Sequence, residues 1–566
     1  MKNEYLRSFT KNNRCNLLFS IVFTVLNTPL GIIGSWLLGQ IIDVITDGSH
    51  AALRTTGVYC VYFICSLVVI DLFMYFFKSR FIKQAMISYK SLAYANISAK
   101  DIAVIKKETP GSYISLLTND TNSIEELYLK NGFLLLHMIL VFFETLAMML
   151  FYSIPLALIS VGLSLLPMLA GSAMGKGMQA REKQVSDSAE GFLNQFKELL
   201  NGFSTIKLFH AEERSADLFN AKNDQVEESR RSRYFWECLM STVCQGLCGN
   251  VMQFGIFIIG AVFALHGNIS AGTVLMFFNL SNYIIQPVSV VPQFLSGWKA
   301  ALTLIEKLSS MTEKEEGQEG KKPLTGPVQE ISLHDVSFSY PESEESTIKD
   351  ISLDLEKGKK YAIVGPSGSG KSTLLNLVSG IYDDYAGSIK LNTDEIRELS
   401  SEDVYGRVNL LDQHVFIFDT SVQNNITMFA SCDSDRIGKA ISAAGLDTFV
   451  ENNGMDYSCG EDGKNLSGGE RQRLAIARCL LHGADVLLFD EATTGLDNEN
   501  AHAVMNTILS MKETTGVLVT HQLNAAELTR FDEILVLKDG QICERGTFDE
   551  LMEKQQYFFG FYNISK

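Results

Sequence analysis

Eight consecutive residues in the second half of the chain have the composition and spacing of a phosphate-binding loop. They run from Gly365 to Ser372 and read G-P-S-G-S-G-K-S. The loop follows an apolar, strand-like run, Tyr361 to Val364, and leads into a helix-like run, which is the context that such a loop requires. Glycines let backbone N–H groups converge on phosphate oxygens, while the lysine and the last serine can reach the outer phosphates and Mg²⁺. The expected ligand is therefore ATP.

A second stretch narrows the class of protein further. Residues Leu466 to Glu470 read L-S-G-G-E and are followed by Arg471-Gln472-Arg473 and a helical run. With the phosphate-binding loop, this stretch resembles the signature of ATP-binding cassette (ABC) proteins. The resemblance continues along the whole cassette at Tyr340 (adenine stacking), Gln413 (Q-loop), Gly460-Glu461, Asp490-Glu491 after the apolar strand 486–489, Leu496-Asp497 (D-loop) and Thr520-His521 (switch histidine).

The resemblance implies a role for each of these residues. The residues implied in hydrolysis are Glu491, which would polarise the attacking water, and His521, Gln413 and Lys371. The residues implied in ATP binding are Tyr340, Gly365, Ser367, Gly368, Ser369, Gly370, Lys371, Ser372, Thr373, Ser467, Gly468 and Gly469. The residues implied in Mg²⁺ binding are Ser372, Gln413 and Asp490. ATP and Mg²⁺ are thus the expected cofactors.

The same resemblance implies a second chain. In the family, each ATP is clamped between the phosphate-binding loop of one cassette and the Ser-Gly-Gly of another. The chain retains both Glu491 and Ser467, which favours a homodimer and leaves a heterodimer open. It departs from the family pattern at Glu470, where Gln is commonest, at Asp412, and at Thr494-Gly495 in the D-loop. None of these departures removes a phosphate contact.

Composition predicts a membrane protein with a soluble domain attached. Of 566 residues, 46% are hydrophobic and 20% are charged, which is apolar for a wholly soluble protein. The apolar excess lies before about residue 300, in stretches long enough to cross ~30 Å of hydrocarbon. The predicted spans are 16–45, 57–77, 131–151, 154–174, 243–265 and 272–295.

Charge distribution predicts the orientation of these spans. Lys and Arg concentrate before the first span, after the second, and between the fourth and the fifth, whereas the opposite connections carry almost none. The positive-inside rule therefore places both termini and the cassette in the cytoplasm, and the expected location is a bacterial inner or plasma membrane. The net charge of -17 argues against nucleic-acid binding. The ten cysteines and nine histidines have no metal-site spacing.

The predicted fold class is a multidomain membrane protein. A six-helix all-α transmembrane domain with long cytoplasmic helix extensions, residues 1–310, is followed by a linker, 311–327, and by an α/β P-loop ABC ATPase domain, 328–566. Residues 110–120 and 201–213 resemble the family's coupling regions, which transmit motion between the two domains. One transmembrane domain and one cassette make an exporter-type half-transporter.

The expected function is ATP-driven export by alternating access. The transported substrate is unidentified, and a small molecule, a lipid or a peptide all remain open. An importer of siderophore-like substrates on the same scaffold is one alternative, and a regulatory or channel-like ABC protein is another. The intact Glu491 argues against the regulatory class, and the six predicted spans exclude a soluble ABC ATPase.

Polar residues inside the predicted spans are the candidates for substrate contact. Asp71 and Glu144 are acids in an environment where an isolated charge costs at least a few kcal/mol. Amides lie in the fifth and sixth spans at Asn250, Gln253, Asn279, Asn282 and Gln286. Hydrogen bonding between helices and contact with substrate explain these residues equally well at this stage.

Overall fold

The computed structural model describes residues 2–108, 110–313, 321–340, 345–413, 415–491, 498–520 and 524–564. The chain divides into two compact units. The first comprises residues 1–98 and 110–313, and the second comprises residues 99–109 and 314–566. Each unit is built around its own core.

The described part of the first unit contains helices and no strands. Its helices, with α4 in the second unit, are α1 Lys2–Ser8, α2 Arg14–Asp47, α3 His50–Ser98, α4 Ile102–Lys107, α5 Pro110–Ser115, α6 Thr121–Ile124, α7 Asn131–Tyr152, α8 Ile154–Asn201, α9 Phe203–Leu208, α10 Glu212–Ser241, α11 Asn250–Leu265 and α12 Ala271–Met311. Single π-helical stretches at Leu116–Asp120, Glu125–Lys130 and Thr242–Gly249 join neighbouring helices. Helix α3 has 49 residues and α8 has 48, whereas a membrane span needs about 20, so these helices extend well past the bilayer, as predicted.

Among the described residues, five helical stretches are long and apolar enough to cross a membrane. They are Arg14–Asp47, His50–Ser98, Pro110–Tyr152, Ile154–Asn201 and Glu212–Leu265, and each contains one of the first five predicted spans. The sixth predicted span, 272–295, lies inside the continuous helix α12 and is not among these five. Its crossing of the membrane therefore stays a prediction.

Helices α2 and α12 approach each other very closely at one point. At Gly272, a Cβ atom would collide with the carbonyl oxygen of Gly39 and lie 2.6 Å from Cγ of Asp43. The Asp43 carboxylate accepts hydrogen bonds from the backbone N–H of Gly272 (2.7 Å) and from the hydroxyl of Ser270 (2.8 Å). A glycine at residue 272 is therefore required for this contact, and Asp43 satisfies one backbone donor that the first turn of α12 leaves free.

The second unit is an α/β domain. Its strands are β1 Glu330–Phe338, β2 Ile348–Glu356, β3 Lys360–Val364, β4 Ala386–Leu391, β5 Asp394–Glu395, β6 Val408–Leu411, β7 Val486–Asp490, β8 Thr515–Val519, β9 Glu533–Lys538 and β10 Gln541–Gly546. Its helices are α13 Lys371–Val378, α14 Ser401–Arg407, α15 Val422–Thr427, α16 Ser434–Ala443, α17 Asp447–Asn453, α18 Gly468–His482, α19 Asn498–Ser510, α20 Ala525–Leu528, α21 Phe548–Lys554 and α22 Tyr557–Ile564, with 3₁₀ turns at Ile396–Glu398 and Glu461–Gly463.

Two sheets organise this unit. One is antiparallel, in the order β2-β1-β4-β5, and the other has the order β10-β9-β3-β8-β7-β6. In the second sheet β3, β6, β7, β8 and β9 are parallel, and every residue of β3, β7 and β8 is buried. Burial on both faces explains why these strands are continuous apolar runs. Their carboxyl ends meet at one edge, where ligands of such sheets bind.

A short segment from between α3 and α5 belongs to the second unit. Residues 99–109, which include α4, group with the α/β domain. The Asp101 carboxylate lies 4.0 Å from Nζ of Lys321, and the backbone of Ile102 is hydrogen-bonded to the Tyr405 hydroxyl. The predicted first coupling region, 110–120, lies in the helical unit, and its role in coupling stays a prediction. The segment immediately before it is the one that packs with the α/β domain.

The structure also describes parts of the predicted linker and of the second predicted coupling region. Residues 321–327 of the predicted linker group with the second unit, where Lys322 pairs with Glu398 at 2.9 Å, and residues 314–320 lie outside the described residues. The second predicted coupling region, 201–213, contains α9. Its apolar side chains Phe203, Leu208 and Phe209 are exposed. The domain limits predicted from the sequence, 1–310, 311–327 and 328–566, stay predictions.

We predict that Gly272→Ala destabilises the helical unit by about 1–3 kcal/mol, because the added methyl group must push α2 away from α12. The melting temperature of the purified protein in detergent measures this. Gly162→Ala is the matched control, since a Cβ at Gly162 meets no atom within 4 Å. Equal melting temperatures for the two variants would contradict the close approach.

Candidate ATP site

The loop after β3 has backbone conformations that need glycine. Gly365, Gly368 and Gly370 have φ angles of 155°, 79° and 98°, in the region that L side chains rarely adopt. A Cβ at Gly365 would also collide with the carbonyl oxygen of Leu537, and one at Gly370 would lie 2.8 Å from Cδ1 of Ile348. The glycine spacing read from the sequence therefore corresponds to real steric limits. The loop ends at the N-terminus of α13, which favours anions.

Lys371 is held in the mouth of this loop. Its side chain is buried, and its Nζ donates hydrogen bonds to the carbonyl oxygens of Gly365 (3.0 Å) and Pro366 (2.9 Å). Burial lowers the pKa of the ammonium group, and the nearby carboxylates of Glu491 and Asp490 oppose that shift. The loop carbonyls thus fix a cation beside the two acids.

Asp490 is the last residue of β7 and is buried. Its carboxylate is hydrogen-bonded to the Ser372 side chain. Burial raises the pKa of the Asp490 carboxyl, the bond to Ser372 opposes this, and the negative charges of Glu491 and Asp412 add to it. A buried carboxylate next to a hydroxyl is a donor set that suits Mg²⁺.

Glu491 follows β7 in an unusual conformation. Its φ angle is 54°, in the left-handed region that a non-glycine residue adopts at a cost. Its backbone N–H donates to the carbonyl oxygen of Val519 (3.2 Å), and its own carbonyl oxygen accepts from Nε2 of Gln472 (3.1 Å). Nε2 of Gln413 donates to its carboxylate at 3.0 Å. Strands β7 and β8, helix α18 and the Q-loop therefore all orient this one carboxylate.

Tyr340 lies against the start of α13. Its hydroxyl is 3.1 Å from Oγ1 of Thr373, and its half-buried ring packs edge-on against Phe338 and Tyr382 at 5.1 and 5.7 Å between centroids. The ring is thus within the unit's aromatic cluster and beside the phosphate-binding helix. This position is compatible with the predicted stacking on adenine, which stays a prediction.

The signature segment forms the N-terminus of α18. Ser467 is the N-cap, and its backbone N–H and hydroxyl both donate to Oε2 of Glu470, at 2.7 and 2.8 Å. The backbone N–H of Glu470 donates back to the Ser467 hydroxyl at 3.3 Å. This is a capping box, and the S-x-x-E spacing that marks it is visible in the sequence. The carboxylate that replaces the usual Gln therefore bonds to the very serine predicted to contact ATP.

Several predicted residues lie outside the described part of the chain. His521 and the D-loop residues Thr494, Gly495, Leu496 and Asp497 are among them, and their roles stay predictions. The structure adds one positioning residue, Gln472, which was part of the quoted signature run but had been given no role. No sequence pattern indicated that this glutamine would hold the backbone of Glu491.

Two further observations indicate that the phosphate-binding loop can hold a nucleotide. Oγ of Ser369 is buried without a hydrogen-bond partner among the described residues. A buried hydroxyl normally has such a partner, and a phosphate oxygen of a bound nucleotide would supply it. At Gly368 a Cβ would meet no atom within 4 Å, so the loop has open space at that point. Ser372, Asp490 and Gln413 are the residues that would hold Mg²⁺, which when bound neutralises phosphate charge.

A helical membrane unit joined to a P-loop ATPase unit defines the chain as an ATP-driven membrane transporter. The family described as ABC transporter transmembrane region matches residues 17–288, and the family described as ABC transporter matches residues 348–494. The chain belongs to the ABC transporter family, as an exporter-type half-transporter whose C-terminal domain binds and hydrolyses ATP.

Curated relatives and a solved structure resemble the chain over most of its length. It is 32% identical to an ATP-dependent lipid A-core flippase of Sodalis glossinidius over 72% of this chain and 71% of that protein. It is 31% identical to the protein of the same name from Mannheimia succiniciproducens, over 67% of this chain and 64% of that protein. A bacterial Atm1-family ABC exporter with ATP bound superposes with a TM-score of 0.84, at 19% identity, over 97% of this chain and 98% of that one. This last likeness shows the exporter fold.

The Glu470 carboxylate places a negative charge where the signature helix would meet the phosphates of ATP. We predict that Glu470→Gln lowers the KM for ATP about two- to fivefold, since one charge at a helix N-terminus contributes about 0.3–1 kcal/mol. Steady-state ATPase measurements over a range of ATP concentrations check this.

The matched control is the second capping box of the same domain. Thr547 and Glu550 cap α21 with the same geometry, at 2.9 Å from the backbone N–H of Thr547 to Oε2 of Glu550. Glu550→Gln removes the same charge from a capping box and leaves the ATP site unchanged. If both variants shift KM equally, or neither does, the special role of Glu470 is refuted.

Proposed function

We propose that two copies of this chain form a symmetric exporter that uses ATP to move a lipid across a bacterial inner membrane. The observation that carries the dimer is that one chain presents both faces of an ATP site. Lys371, Ser372, Asp490 and Glu491 supply one face, and Ser467 with its two following glycines supplies the other. Two copies placed head to tail build two complete and equivalent sites.

The lipid class of the substrate is inferred from the relatives. Their printed name is ATP-dependent lipid A-core flippase, and one of them is 32% identical over most of both chains. The membrane unit adds two supporting features. Its helices extend far beyond the bilayer, and aromatic rings of α2 and α3 stack in pairs, Phe19 with Phe77 at 4.8 Å and Phe23 with Phe73 at 5.3 Å between centroids. These rings give α2 and α3 an apolar surface, with which an apolar substrate is compatible.

Hydrolysis follows from the arrangement at the edge of the parallel sheet. The buried Lys371 cation and the N-terminus of α13 stabilise negative charge on the phosphates. Glu491, oriented by Gln413 and Gln472, accepts a hydrogen bond from the attacking water and polarises it. Asp490 and Ser372 would hold Mg²⁺ beside them. The distribution of Lys and Arg supports placing this domain and both termini in the cytoplasm.

Removing the acid at residue 491 tests the assignment of catalysis. We predict that Glu491→Gln reduces kcat for ATP hydrolysis by at least about 100-fold, the usual contribution of a positioned general base, while nucleotide binding is retained. Phosphate release and binding of a fluorescent ATP analogue measure the two properties. Glu451→Gln changes an exposed acid of the same domain and should behave like the parent. Near-parental turnover in Glu491→Gln would exclude this carboxylate as the base.

A transport assay tests the proposed function itself. We predict that the chain, expressed alone and reconstituted in proteoliposomes, moves fluorescent lipids between leaflets only when ATP is present. Its mass in nanodiscs should equal that of two chains. Liposomes that contain Glu491→Gln are the control for passive lipid movement.

Three outcomes would contradict the proposal at different points. A stable monomer, or activity that requires a different ABC half-transporter, overturns the homodimer. ATP-dependent flux of a water-soluble solute without lipid movement overturns the lipid substrate. Flux towards the side of the membrane that carries the ATPase domain overturns export.

A further inference from the structure

A cavity of about 400 Å³ lies inside the helical unit, between α2, α3, α7 and α12. Its polar lining includes Asn27, Asp71, Lys78, His137 and Tyr283. The volume is within the range of small-molecule sites, which combine an apolar wall with a few convergent polar groups. All four helices belong to one chain, so the cavity does not require a dimer.

Asp71 supplies a negative charge without a cationic partner. Its carboxylate accepts a hydrogen bond from Nδ2 of Asn27 at 2.6 Å. Among the described residues, no Lys, Arg or His nitrogen lies within 4.0 Å of it, whereas membrane acids usually pair with a cation or face a water-filled cavity. The cavity is therefore where this charge is solvated.

Lys78 supplies the opposite charge on the same helix face. It follows Asp71 by seven residues, which is about two turns and about 10 Å along the helix axis. Its ammonium lies 5.3 Å from the centre of the Phe133 ring and, in the described part of the chain, makes no ion pair. His137 of α7 lines the same cavity. One cavity thus contains two opposite charges that do not pair with each other.

Two opposite charges in one cavity select for a ligand that carries both signs. A ligand with an ammonium group at one end and a phosphate group at the other can make a charge-assisted contact with each residue. We propose that the cavity binds a phosphoethanolamine-type zwitterion, with its ammonium at Asp71 and its phosphate at Lys78. This assignment names a substrate chemistry for the transport function proposed above and rests on that function.

Glu144, the second acid proposed above as a candidate for substrate contact, does not take part. Oε1 of Glu144 accepts a hydrogen bond from the Thr28 hydroxyl at 2.8 Å, which links α7 to α2, and Glu144 does not line the cavity. Tyr283 enters the cavity beside Gly31, where a Cβ would lie 2.6 Å from the tyrosine hydroxyl. Gly31→Ala therefore perturbs the cavity without changing either charge.

The test compares four probes on the full chain in detergent, without nucleotide. They are soluble phosphoethanolamine, dioleoyl phosphatidylethanolamine, the anionic dioleoyl phosphatidylglycerol, and ethanolamine as an ammonium without phosphate. Affinity is measured from the probe-dependent shift in melting temperature. We expect at least one of the two zwitterions to bind about tenfold or more tightly than either singly charged probe. If only the lipid zwitterion binds, the ligand is a membrane lipid headgroup, and if both bind, a soluble zwitterion is also accepted.

Variants locate the site. Asp71→Asn and Lys78→Gln should each weaken zwitterion binding about tenfold, and Gly31→Ala should weaken it with both charges present. Lys83→Gln, on the exposed side of the same helix, and Glu144→Gln should retain the parental preference. A parent protein that does not distinguish zwitterions from singly charged probes, or unchanged affinity in both charge variants, overturns the proposal. Binding without any ATP-dependent flux would instead refute the transport function and leave this site standing.

Discussion

The pairing of β3, β6, β7 and β8 as parallel neighbours is the constraint on which the ATP site depends. Register places Leu411 beside Phe489, Asp490 beside Val519, and Ile363 beside the same Val519. The phosphate-binding loop, the Q-loop and Glu491 follow directly after these strand ends, and Asp490 is the last residue of β7. They therefore meet at one sheet edge although they are far apart in sequence, and a shift of one residue in any strand would turn Asp490 or Glu491 away from the loop.

The two acids at that edge, Asp490 and Glu491, are positioned in different ways, one by burial and the other by a strained backbone conformation. Asp490 is buried and bonded to Ser372, while Glu491, one residue later, adopts a left-handed backbone conformation. Adjacent residues of a regular strand point to opposite faces, so a departure from strand geometry after Asp490 is compatible with two neighbouring carboxylates at one site. The backbone bonds to Val519 and Gln472 offset the cost of this conformation.

Much of the ATPase domain was predictable because its sequence signals are local. The glycine spacing at 365–370 follows from the φ angles of one loop, and the apolar runs 361–364 of β3 and 486–489 of β7 follow from burial on both faces. The capping box at Ser467 and Glu470 had a visible spacing too, although the glutamate was first noted only as a departure from the family. Contacts between distant segments had no such signal. The bond of Gln472 to Glu491, the packing of residues 99–109 with the ATPase domain, and the pairing of Asp71 with Asn27 depend on tertiary structure. For the same reason the sequence could not distinguish Asp71, which lines a cavity, from Glu144, which does not.

The central claim is that each ATP site is built from two copies of this chain. It is tested most directly by mixing Lys371→Ala, which damages the phosphate-binding face, with Ser467→Ala, which damages the signature face. Each variant alone has a defect in both of its sites and should be inactive. A mixed dimer, isolated through two different affinity tags, has one doubly damaged site and one intact site, so it should recover up to about half of the parental ATPase rate. A mixed dimer no more active than either variant alone would show that each site is complete within one chain and would contradict the account.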